Sequence, residues 1–167
     1  MNRKTTKHDI LDLIAKVRKI VPEAAIRTSL IVGFPSETDR EFKELLKFMQ
    51  EARFERLGAF IYSREEGTNA YDFKKQIPEK IKNERFNTLM LKQQGISTEV
   101  NRRYLGKVIE VLIDEKEKDY YLGRSQHDAP EVDGLVYVKS NYDLKSGDIV
   151  EVKINDTLEY DLVGEAL

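Results

Sequence analysis

Two short stretches carry residue types that commonly meet a small ligand. Val32-Gly33-Phe34-Pro35 ends an apolar run with a residue that lets the backbone approach closely and one that lacks an amide donor. Tyr62–Ala70 (YSREEGTNA) ends a second apolar run and offers a ring, hydroxyls and a Gly-Thr pair. Where strands alternate with helices, ligands sit beyond the carboxyl ends of the strands. Two such loops on neighbouring parallel strands would face the same side. Taken singly, the first also reads as an ordinary strand-to-helix turn and the second as a solvated loop. Arg27 and Thr28 lie inside the first run. A guanidinium there suits a carboxylate or phosphate, or escapes to water at a sheet edge. Gly123–Gly134 (GRSQHDAPEVDG) places Arg124, His127, Asp128, Glu131 and Asp133 between two apolar runs. His127 with Asp128 has the composition of a catalytic pair, yet no nucleophile is placed with it. The loop therefore reads as solvated or partner-binding.

Composition narrows the chemistry further. None of the 167 residues is cysteine, which excludes disulfides, thiolate metal sites and cysteine nucleophiles within this sequence. Two histidines, His8 and His127, do not make a metal site by themselves. No run of about 18 apolar residues is present to cross a membrane, and MNRKTTKHD lacks the apolar stretch of a signal peptide. A cytoplasmic protein with no membrane partner is expected. Charge is divided along the chain: residues 1–103 carry 21 Lys and Arg against 15 Asp and Glu, and residues 104–167 carry 7 against 15. A change from +6 to −8 predicts two modules with different partners.

The elements that must position these loops follow from periodicity. Thr6 and Asp9 fit a capping box. Ile10, Leu13, Ile14 and Val17 then repeat at helical spacing up to Pro22. Ala25–Val32 reads as a strand buried on both faces, and Leu57–Tyr62 as a second. Between them Ser36 and Asp39 suggest another capping box, followed by an apolar face of Phe42, Leu45, Leu46 and Met49. Pro78 opens a long charged helix to about Arg102. Beyond Arg103 come five short strand candidates punctuated by glycine: Lys107–Ile113, Tyr120–Arg124, Gly134–Val138, Ile149–Ile154 and Leu158–Val163. They predict a small OB-like β-barrel. The expected domains are 1–103 and 104–167. Two parallel strands bury neither face of a sheet adequately, so the first module is expected to be a piece of a larger protein, with strand edges prone to self-association.

VGFPSET followed by YSREEGT resembles the late barrel strands of radical S-adenosylmethionine methylthiotransferases. The acidic region from Tyr104 resembles their TRAM domain. GRSQHDAPEVDG and the EEGT of Glu65–Thr68 are similar to the branch that modifies a ribosomal protein, whereas the tRNA-modifying branch more often has RPGT there. The resemblance implies an α/β fold, a partial TIM-like radical-SAM barrel followed by a TRAM barrel. It implies S-adenosylmethionine and two 4Fe-4S clusters as cofactors, and methylthiolation of the β-carbon of an aspartate in a small-subunit ribosomal protein. By motif position, Ile31, Val32 and Gly33 would border S-adenosylmethionine, with Phe60, Tyr62 and Ser63 near its adenine or the substrate. Arg124, Asp128, Glu131 and Asp133 would dock the substrate. Three departures stand out. The family's CxxxCxxC motif is absent, which places the cluster ligands upstream of Met1. Ser36 stands where the family usually has Gly, and Asn69 where it often has Pro. The opening MNR resembles an internal stretch of the family, so Met1 is expected to be a truncation point and the chain alone to be inactive.

The acidic C-terminal module opposes phosphate binding, which needs clustered Lys and Arg. It favours a basic protein partner such as a ribosomal protein over RNA. A non-catalytic module that docks on RNA or ribosomal protein is the competing reading, and a fragment of the tRNA-modifying relative a third.

Overall fold

The computed structural model describes residues 4–167. Met1–Arg3, including the suggested truncation point, lie outside the described residues. The elements run α1 (Lys7–Ile20), β1 (Arg27–Val32), α2 (Asp39–Ala52), β2 (Arg56–Ile61), α3 (Glu79–Asn101), β3 (Val108–Glu117), β4 (Tyr120–Ser125), β5 (Val136–Lys139), β6 (Ile149–Thr157) and β7 (Leu162–Ala166), with a 3-10 turn at Arg102–Tyr104. The backbone divides into two compact units, one ending at Ile96 and the other starting at Ser97.

In the first unit α1 and α2 start where side chains replace missing backbone partners. At α1 the Thr6 hydroxyl accepts the Asp9 amide at 3.3 Å, and the Asp9 carboxylate accepts the Thr6 amide at 2.8 Å. At α2 the capping pair is Thr38 and Glu41, not Ser36 and Asp39. The reason is the turn before it. Pro35 fixes one φ, Ser36 takes φ 73°, and the Glu37 amide closes onto the Phe34 carbonyl at 2.9 Å. Pro at the second position and positive φ at the third are the marks of a type II turn. Ser36 is spent in that turn, two residues short of the cap.

β1 and β2 pair in parallel, from Arg27 opposite Arg56 to Val32 opposite Ile61. Neither is buried on both faces, contrary to the expectation from their apolar composition. Thr28, Leu30 and Val32 alternate with the more exposed Arg27, Ser29 and Ile31, and β2 alternates likewise beyond Arg56. Helices cover one face only. There Ile14, Phe48, Ala52 and Phe54 form a core joined by Ile10, Leu11, Ile26, Leu45 and Leu57. The other face is left open.

The second unit is a closed five-stranded barrel in the order β3-β4-β5-β7-β6, with β6 returning to β3. All pairs are antiparallel except β5 with β7. This is the OB-like barrel expected, and closure removes the free sheet edges. Its interior is filled by Val111, Ile113, Tyr121, Val136, Val138, Val152, Ile154 and Leu162. Bulges after Ile113 and Ile154 help bend the long strands β3 and β6 around that core. The last strand starts at Leu162 rather than Leu158. Leu158–Asp161 instead forms the connecting turn, in which the Leu158 amide reaches the Asp161 carbonyl at 2.9 Å.

Candidate functional site

The open face of the parallel pair is where apolar atoms meet solvent. Ile31 and Phe60 are register partners and are 40% and 60% exposed. Gly58 lies two residues before Phe60, opposite Ser29, and the Phe60 ring edge lies beside it. A parallel sheet normally hides both faces, so an exposed Ile–Phe pair at the carboxyl ends of the strands is the feature that calls for a ligand or a covering layer. Val32 points the other way and is fully buried.

Beyond the strand ends the two loops are tied together. The Tyr62 amide continues the ladder to the Val32 carbonyl at 2.9 Å, and the Ser36 amide donates to the Lys75 carbonyl at 2.8 Å. Phe34 sits edge-on to Tyr62 and to Phe73, with centroids 5.2 and 6.1 Å apart. Ser63 donates its hydroxyl to Glu65 at 2.6 Å, and Arg64 covers the Tyr71 ring at 4.3 Å. The Tyr62 hydroxyl is buried with no hydrogen-bond partner among the described residues, a state proteins rarely leave uncompensated. Gly33 takes φ 75°, and a Cβ there would collide with Cγ of Lys82. Its amide lies 3.2 Å from both carboxylate oxygens of Glu37.

Two residues that the sequence reading left in a merely charged helix prove central to this rim. Lys82 and Arg85 lie one turn apart on α3, with side chains only 5% and 7% exposed. Lys82 Nζ donates to the Tyr62 carbonyl at 3.0 Å and to Glu79 at 2.6 Å. Arg85 donates to the Glu37 carboxylate at 2.6 Å and to Asp39 at 2.7 Å. The signal was present in the spacing: Lys82, Arg85, Leu89, Gln93 and Ile96 recur at three and four and are all buried. A buried stripe that begins with two cations is masked when only apolar letters are counted.

In the barrel, Arg124, Glu131 and Asp133 line one cleft of about 510 Å³ together with Asp114, Glu115 and Leu135. Arg124 Nε donates to Asp114 at 3.2 Å. The Asp133 carboxylate holds the Ala129 amide at 2.7 Å, which shapes the loop around Glu131. Asp128 is not among the lining residues. Its carboxylate accepts the Ser125 hydroxyl at 2.6 Å and closes a local turn. His127 packs its ring against Tyr104 at 5.8 Å. Arg27 lies at the opposite, amino-terminal end of β1 from the rim and is exposed. The chain has no cysteine, and among the described residues no group of acidic and histidine side chains is arranged to hold a metal ion. No helix among the described residues is long and apolar enough to cross a membrane.

Residues 105–167 match the TRAM domain family. Across the whole chain the sequence is 52% identical to the ribosomal protein uS12 methylthiotransferase RimO of Clostridioides difficile strain 630, covering 38% of that protein. It is 46% identical over 98% of its length to the RimO of Clostridium botulinum strain Langeland, covering 37% of it. It is 52% identical over 99% of its length to the RimO of Thermoanaerobacter sp. strain X514, covering 38%. The chain thus spans well under half the length of these relatives.

Proposed function

We propose, from its similarity to RimO-type methylthiotransferases along the stretch it spans, that the chain works as the C-terminal part of such an enzyme. In this reading β1 and β2 are the last strands of a radical-SAM barrel, and residues 1–103 and 104–167 are its two functional segments. The segment would supply part of the S-adenosylmethionine rim and the substrate-docking TRAM barrel. The full enzyme would methylthiolate the β-carbon of an aspartate in a basic ribosomal protein, uS12.

The observation that carries the reading is the uncovered Ile31–Phe60 pair beside the strand ends at Gly33 and Tyr62. In a complete barrel that face turns inward. Its flat apolar surface suits an adenine ring, and the buried Tyr62 hydroxyl supplies an unspent hydrogen-bonding group beside it. The residues present therefore fit the organic cofactor, with Ile31, Phe60, Gly33, Tyr62 and Ser63 as its neighbours. Val32 would contribute from behind, by packing. They do not fit the clusters: a 4Fe-4S centre needs thiolates, and the chain has none. S-adenosylmethionine, when bound, supplies a methyl group and radical chemistry. This chain's residues orient it, exclude water with the Phe34–Tyr62–Phe73 cluster, and present the protein substrate. The 15 acids against 7 bases of residues 104–167 would attract a basic partner, with Arg124, Asp128, Glu131 and Asp133 shaping the docking loop.

The test is binding of S-adenosylmethionine by the full-length enzyme carrying this segment, alongside mass analysis of uS12. Phe60→Ser is expected to weaken cofactor binding about tenfold. Glu131→Lys is expected to weaken uS12 binding while leaving cofactor affinity unchanged. Unaltered cofactor affinity in Phe60→Ser, or S-adenosylmethionine cleavage by the 167-residue chain alone, would overturn the reading.

A further inference from the structure

We propose that Lys82 and Arg85 are positioning residues that clamp the carboxyl ends of β1 and β2 into the geometry of the cofactor rim; this deepens the reading above and rests on it. The two cations hold different strands. Lys82 reaches the end of β2 through the Tyr62 carbonyl at 3.0 Å, while its stem fills the space where a Gly33 side chain would stand. Arg85 reaches the end of β1 through Glu37, whose carboxylate receives the Gly33 amide. One turn of α3 therefore sets the separation and the height of Gly33 and Tyr62. Neither cation is a generic surface charge. Both are more than nine-tenths buried, a state that is costly unless each charge is paired and hydrogen-bonded. Lys82 divides its donors between the Tyr62 carbonyl and Glu79, and Arg85 divides its own between Glu37, carboxylate and carbonyl, and Asp39 at the start of α2. The ammonium also lies 5.4 Å from the Tyr62 ring centroid, so the ring whose hydroxyl is unpartnered is fixed by the same residue. A helix that needed only a buried face would build it from apolar side chains, as α3 does further along at Leu89.

The experiment uses the full-length enzyme with Lys82→Met, Arg85→Met, Arg85→Lys and, as a packing control, Leu89→Val. Lys82→Met keeps the stem over Gly33 and removes the ammonium. Two readouts are taken: the dissociation constant for S-adenosylmethionine, and hydrogen exchange of the Gly33 and Tyr62 amides without cofactor. Lys82→Met and Arg85→Met are expected to raise the dissociation constant five- to twentyfold and to speed exchange at both amides at least tenfold. Arg85→Lys should recover part of the affinity, because one charge-assisted bond to Glu37 survives. Leu89→Val should lower thermal stability while moving affinity less than twofold. Exchange that stays at the wild-type rate in both cation variants overturns the clamp. So does a loss of affinity in Leu89→Val as large as theirs. If the amides loosen as expected but wild-type enzyme binds no S-adenosylmethionine, the cofactor reading fails, and the assignment of these residues to a cofactor rim fails with it.

Discussion

Replacing Gly33 by alanine probes the rim at its tightest point. Gly33 sits at φ 75°, where a residue with a Cβ pays about 1–2 kcal/mol of steric strain. The new methyl would also meet Cγ of Lys82, close to the backbone of α3, where the stem has little freedom to swing. Lys82 cannot retreat without loosening its bonds to the Tyr62 carbonyl and Glu79. A hydrogen bond to a charged group contributes about 1.5–3 kcal/mol, of which partial loss is expected. Together these terms place the cost at about 2–4 kcal/mol, in the range reserved for substitutions that violate backbone or core geometry. Native-state hydrogen exchange at the Tyr62 amide, which is bonded to Val32, reads this locally. The rate should rise on the order of 30- to 700-fold. The same substitution in a Lys82→Ala background should cost little beyond the backbone share, about 1–2 kcal/mol, because the collision with Cγ is gone and only a 3.2 Å contact with the residue-82 Cβ remains. A Gly33→Ala effect below threefold, or one of equal size in both backgrounds, would refute the packing described for Lys82.

Ser36→Gly should stabilise the first unit by about 0.5–1 kcal/mol, since φ 73° is held against a side chain; chemical denaturation followed at β1 and β2 amides would show it, and destabilisation would contradict the turn geometry. Thr38→Ala should cost about 1 kcal/mol through loss of the α2 cap, measured as faster exchange in the first turn of α2. Bonds from the Thr38 hydroxyl and then the Thr38 amide hold the Glu41 carboxyl below the usual glutamate range. The unfolded chain therefore binds that proton more readily, so the capping contribution is complete above the ordinary glutamate value and disappears as pH falls through the depressed one. Acid titration should fray the start of α2 in the wild type, with a smaller pH response in Thr38→Ala. In the barrel, Gly164→Ala would bring a Cβ to 2.5 Å from Val152 Cγ1 and 2.6 Å from the Lys153 carbonyl. It should lower the barrel's melting temperature by about 8–16 °C, as about 2 kcal/mol does in a domain of this size, and an unchanged midpoint would count against the β6–β7 approach.

The barrel was legible because closure makes its sequence regular: short β-branched runs, glycine at the turns, and an interior face read directly from alternation. The misplaced last strand shows the limit, since Leu158 and Tyr160 look like strand residues while Leu158 to Asp161 forms the turn between β6 and β7. The first unit was legible in its elements but not in its burial. Continuous apolar letters in LGAFIY suggest two hidden faces, yet burial depends on what stands opposite, and a sheet of two strands has helices on one side only. The α2 cap was misread for a related reason. Ser36 and Thr38 are both plausible caps by residue type, and only the turn closed by Glu37 decides between them. Lys82 and Arg85 escaped notice because their partners, Tyr62 and Glu37, are 20 and 48 residues away in the chain.

These long-range partners explain how one short segment combines two different surfaces. The rim needs cations inside: with the Tyr62 carbonyl and the Glu37 carboxylate gathered at the ends of two parallel strands, apolar side chains from α3 would leave acceptors and a charge buried without partners. The barrel needs none, because its closed ladder satisfies the backbone and its core is almost wholly aliphatic. Its charges are therefore free to be chosen for the outside, and 15 acids against 7 bases is the result. The opposite signs of the two segments follow in part from these separate demands. In the first, buried Lys82 and Arg85 belong to the positive sum without contributing an open basic patch. In the second, no charged side chain is fully buried, and nearly every charge faces water. The sum for the first segment thus includes two cations held inside by acidic partners, whereas that for the second is a surface property.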